Sequence, residues 1–86
     1  MKEYTKILNE LKRVDENLFC YTSMSGHLCY RTHGDLNYYF LLCHKFDLKP
    51  KMDSDFSYHA DKQNYGLEYI EGDIVLVKLW RESDEK

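Results

Sequence analysis

The stretch GLEYI-EGD-IVLVKLW, residues 66–80, contains the run of strongest β propensity in the chain. Gly66 to Ile70 and Ile74 to Trp80 flank Glu71-Gly72-Asp73, and two β-rich runs around a short Gly-containing segment are the signature of a hairpin. A closing hairpin over about 65–81 follows. The tail beyond it, 82–86, is charged and lacks apolar anchors, so it is expected to fray.

At the other end of the chain Tyr4, Ile7, Leu8, Leu11 and Val14 recur every three or four residues, which predicts one apolar stripe on a helix over about 2–14. Lys2, Lys6, Lys12 and Arg13 fall mostly off the stripe, so the outer face is solvated and mildly basic, and Asp15-Glu16-Asn17 ends the helix with turn formers. Leu18 to Ser23 and His27 to His33 are rich in aromatic and β-compatible residues around Met24-Ser25-Gly26, predicting a hairpin over about 18–33. A turn at Gly34-Asp35 leads into 36–46, where Tyr38, Tyr39, Phe40, Leu41 and Leu42 run without alternation, as in a central strand covered on both sides. From 47 to 64 the periodicity fades, Pro50 appears and Asp53, Asp55 and Asp61 accumulate, which reads as an acidic loop with, at most, a short edge strand over 56–60. The expected fold is α+β: an N-terminal amphipathic helix packed on an antiparallel sheet of about 4–6 strands built from hairpins.

The 86 residues leave room for one hydrophobic core, and a homodimer would be a natural remedy for the modest stability of so short a chain. No apolar run approaches the ~20 residues of a membrane-spanning helix, and Met1 to Glu10 contains no signal-like apolar stretch, so a cytoplasmic protein without membrane contact is expected. Cys20, Cys29 and Cys43 are three, cannot all pair within one chain, and read as reduced thiols. The net charge is −3, which argues against a simple nucleic-acid glove, but it is unevenly spread. Residues 1–51 carry eight Lys/Arg against six Asp/Glu, and residues 52–86 four against nine.

Catalytic and metal-binding patterns do not reach specificity. His27, Cys29 and His33 share one parity on a predicted strand, yet zinc spacings are missing, and Cys20, Cys43, His44 and His59 would have to converge from elsewhere. Cys43 and His44 are adjacent, so on a strand they point to opposite faces and cannot form a nucleophile–base pair. Asp53, Asp55 and Asp61 lack the glycine and terminal glutamate of a calcium loop. No nucleophile elbow or phosphate loop occurs, so neither a cofactor nor an enzymatic activity is expected. An enzyme built around Cys29 or a histidine cluster, completed by dimerisation, is the weakest of three readings.

Eight tyrosines are the most unusual feature, because Tyr is amphipathic and enriched in binding hot spots. The main expectation is a non-enzymatic binding protein in the style of small phage or plasmid inhibitors and antitoxins. It would dock on another protein, such as a nuclease or other nucleic-acid enzyme, with Asp53, Asp55, Asp61, Glu68, Glu71 and Asp73 presenting charge and Tyr58, Tyr65 and Tyr69 as anchors. The alternative is a single-stranded RNA-binding module that stacks bases on Tyr21 and Tyr30 and grips phosphates with Arg31, His33 and Lys45.

Overall fold

The computed structural model describes residues 2–78, so the expected frayed tail at 82–86 and the last residues of the closing hairpin, Trp80 included, lie outside the described residues. The elements run α1 (Glu3–Val14), β1 (Phe19–Thr22), β2 (Leu28–His33), α2 (Leu36–Lys45), β3 (Lys51–Ser54), β4 (Ser57–Asp61), β5 (Tyr65–Ile70) and β6 (Asp73–Lys78). All strands belong to one antiparallel six-stranded sheet of order β1-β2-β6-β5-β4-β3. The fold is α+β.

The closing hairpin turns on Glu71 and Gly72, both at positive φ (45° and 90°), with Ile70 paired to Asp73. Two left-handed residues in a two-residue loop match the twist of the flanking strands, and glycine takes the second position without a Cβ penalty. β6 then inserts between β5 and β2, so the most apolar strand becomes central. The side chains of its even-numbered residues, Ile74 and Leu76, face the helices, while Val75 and Val77 face the other way.

Residues 36–46 correct the sequence reading: they form a helix, not a central strand. Gly34-Asp35 is a helix start, where the Asp35 carboxylate accepts the Tyr38 backbone N–H at 2.8 Å, as an N-cap does. Tyr39, Leu42 and Cys43 stand at helical spacing and are buried, whereas Phe40 and Leu41 between them are exposed. Residues 47–64 are also more ordered than a loop: β3 and β4 make an edge hairpin there. β3 is exposed at every position, so it has no apolar alternation to betray it.

Both helices pack on one face of the sheet. Ile7 and Leu11 of α1 and Tyr39, Leu42 and Cys43 of α2 form a single core with Ala60, Tyr65, Leu67, Ile74 and Leu76. On the opposite face Cys29, Val75 and Val77 form a smaller cluster with Tyr21. Neither helix covers that second face.

Candidate functional site

Large exposed apolar side chains are the first guide to a contact surface, because burial of such groups drives association. At the end of the sheet where α2 meets the β3–β4 hairpin, Met52 is 61% exposed and Phe56 65%, and Leu41 on the outer side of α2 is 65% exposed. Phe40 belongs to the same corner: its ring stands edge-on to Tyr58 of β4 at 5.3 Å, and Tyr58 is paired with Met52 in the strand register. Behind them Tyr39 and Tyr69 continue the aromatic cluster into the core.

Carboxylates border this corner. Asp53 and Asp55 lie on the β3–β4 hairpin and are exposed, and the exposed Glu71 donates its backbone N–H to the Phe56 carbonyl at 2.9 Å. The corner therefore combines apolar anchors with an acidic rim.

On the sheet face that neither helix covers, the open face among the described residues, strand alternation gathers a second group. The His59 Nδ1 lies 2.7 Å from Asp53 Oδ1, its Nε2 is 3.9 Å from Asp61 Oδ2, and Glu68 is its cross-strand neighbour. The Asp53 carboxylate raises the His59 pKa, and burial, with Asp61 adding to it, raises that of Glu68. A raised imidazole pKa means that the contact stabilises the fold in full below the unfolded value of ~6.5, and that this is lost as pH rises through the folded value. Glu68, also raised, lowers stability in the same direction from ~4.3 upward. The expected result is that His59→Gln unfolds at lower urea than the wild type at mildly acidic pH and that the gap closes in alkaline buffer, as urea titrations across pH would record.

Towards β2 the open face carries a different set. Arg31 Nε donates to Asp73 Oδ2 at 2.8 Å and His33 Nδ1 contacts Asp73 Oδ1 at 2.7 Å. The Arg31 bond holds the Asp73 carboxyl below the usual carboxylate range. Phe19 stacks on Tyr21 beside them at 5.5 Å. A cleft of about 680 Å³ opens elsewhere, at the start of α1, between Lys2, Lys62 and Lys78, with Lys78 Nζ 5.6 Å from the centre of the Tyr4 ring.

The residues named from sequence are distributed over different surfaces. Asp53, Asp61, Glu68 and Asp73 share the open face, while Tyr58, Tyr65 and Tyr69 project to the helix side, because neighbouring strand positions alternate. Tyr65 is buried and donates its hydroxyl to Glu3 Oε1 at 3.1 Å, so it is no exposed anchor. The RNA set also divides: Tyr21, Arg31 and His33 share the open face, Tyr30 packs against the core, and Lys45 bonds Glu10 at 3.1 Å. Phe40, Met52 and Phe56 escaped sequence reasoning because they lie in the two segments whose structure it misread. The i, i+3, i+4 spacing of Tyr39, Leu42 and Cys43 was the available signal.

Two of the three thiols are withdrawn from water, while Cys20 is exposed. Cys29 and Cys43 are buried, and burial raises the pKa of both. Among the described residues no group of three or more His, Cys, Asp or Glu is placed to hold a metal ion, and no helix is long and apolar enough to cross a membrane. No protein-family model, curated protein or solved structure matches the chain.

Proposed function

We propose that this chain is a non-enzymatic binding protein of the inhibitor or antitoxin type, acting in the cytoplasm by docking on a protein whose contact surface is basic. A nuclease or another nucleic-acid enzyme has such a surface. The observation that carries the proposal is the corner where Phe40, Met52 and Phe56 are exposed beside the hairpin carboxylates Asp55 and Glu71. Apolar side chains at the centre supply affinity by leaving water, and the carboxylates steer a cationic partner into place. Tyr58 serves as a half-buried support behind Phe40 instead of as a free anchor.

The RNA reading has one observation in its favour, the Phe19–Tyr21 stack beside Arg31. Against it, Arg31 and His33 both spend their polar contacts on Asp73, which cancels charge that phosphates would need.

Native mass spectrometry of the protein purified gently from its source cells separates the two. The expected spectrum holds one basic protein at fixed stoichiometry, lost with Phe56→Asp. In a kinetic assay with that protein, the double change Asp55→Lys and Glu71→Lys should slow association by about tenfold at low salt, a gap that narrows as salt screens the charges. RNA adducts in place of the protein, or a partner indifferent to both variants, would overturn the proposal.

A further inference from the structure

The two edges of the sheet are built differently. β3 is protected in the ways that keep edge strands apart: Pro50 precedes it, Lys51 and Asp53 charge it, and its register to β4 breaks between Met52 and Ser54. β1, the opposite edge, reads Phe19-Cys20-Tyr21-Thr22, with no charge, no proline and an unbroken register to β2. It also lies in the most apolar exposed stretch of that end: Val14 is 56% exposed, Phe19 62%, and Met24 is fully exposed.

The hairpin turn fixes which backbone groups of β1 are free. Ser23 donates its N–H to the His27 carbonyl at 2.8 Å, so Ser23 and His27 are a hydrogen-bonded pair. Bonded and non-bonded pairs alternate along an antiparallel ladder. Tyr21 and Phe19 therefore bond inward to Cys29 and Arg31, while the N–H and C=O groups of Cys20 and Thr22 point away from the sheet.

We propose that two copies of this chain pair antiparallel along β1, about a two-fold axis at Tyr21, joining their sheets edge to edge. That axis places Cys20 of each copy opposite Thr22 of the other, so every outward N–H and C=O of the two residues meets its complement and four hydrogen bonds form. An uncharged strand sets no like charges against each other across the axis. Tyr21 faces its own copy at the close, non-bonded position, and the Phe19–Tyr21 stack continues into a second stack on the open face. The β3–β4 corners stay at the far ends, so the pairing is independent of the docking proposal and leaves both corners accessible.

Sedimentation over a wide concentration range, combined with cross-linking, tests this. The wild type should pass from monomer to dimer as concentration rises. Opposed bonded residues sit about 5.5 Å apart at Cα, inside the disulfide range, whereas Cys20 and its own copy would be about 8 Å apart and outside it. Thr22→Cys treated with oxidised glutathione should therefore give a covalent dimer linked from Cys20 of one copy to the new thiol of the other, since Cys29 and Cys43 are buried. Thr22→Pro removes an N–H that the monomer does not use and should weaken the dimer about tenfold or more with an unchanged circular dichroism spectrum. If the proline variant fails to fold, the cross-link decides. A wild type that stays monomeric at the highest concentration, a dimer unaffected by Thr22→Pro, or a link between the two Cys20 residues would overturn the pairing.

Discussion

Tyr39→Ala is expected to leave most of the chain unfolded at room temperature. Tyr39 has no solvent exposure, its hydroxyl donates to the Leu67 carbonyl at 2.7 Å, and its ring meets those of Phe40, Tyr58 and Tyr69 at 5.9, 6.3 and 5.9 Å. It thereby ties α2 to the centre of the sheet and to the exposed corner at once. Truncating a buried aromatic costs about 3–5 kcal/mol, close to the whole margin of ~5 kcal/mol that a domain at the small end of the size range holds. Tyr39→Phe keeps the ring and loses the hydrogen bond, so it should cost only about 1–2 kcal/mol and remain folded. Urea unfolding followed by circular dichroism distinguishes the cases. A midpoint for Tyr39→Ala close to that of Tyr39→Phe would mean that the hydroxyl, and not ring packing, holds α2 in place.

The parts of the fold that were legible in the sequence are those whose local pattern agrees with their environment. α1 shows a helical stripe because one side of it is buried, and β5–β6 shows turn chemistry at Glu71-Gly72 because the hairpin needs positive φ there. α2 was not legible for the opposite reason. Its exposed positions carry Phe40 and Leu41 where a solvated helix would carry charge, so the run from Tyr38 to Leu42 looked like a strand covered on both sides. The exposed Phe40 that helped to hide the helix is also one of the side chains on which the proposed docking surface rests. In β3–β4 the exposed edge gave no alternation at all, and polar composition suggested a loop.

The site was harder to read than the fold because its residues were grouped by nearness along the chain. His59 follows Tyr58, and Tyr69 follows Glu68, but in a strand such neighbours point to opposite faces. One face receives the acids and His59, and the other receives the tyrosines under α2. Only the strand order, with β6 between β2 and β5, places the Arg31–Asp73 contact and the His59 cluster on one surface.

Two adjacent substitutions in α2 should part company completely. Leu42 is 2% exposed and packs in the main core, so Leu42→Asp buries a carboxylate with no partner and should cost more than about 4 kcal/mol, abolishing the folded state. Leu41, one residue earlier, is 65% exposed, so Leu41→Asp should change stability by less than about 0.5 kcal/mol. A strand covered on both faces would make the two equally damaging; a helix with one face in water does not. Function is examined one residue earlier, because Phe40→Ser should keep the native circular dichroism spectrum and still weaken docking of the proposed basic partner at least tenfold, through the loss of an apolar anchor beside Tyr58 at the corner. A Phe40→Ser protein that folds and binds as tightly as the wild type would remove α2 from the docking surface and leave only the β3–β4 hairpin.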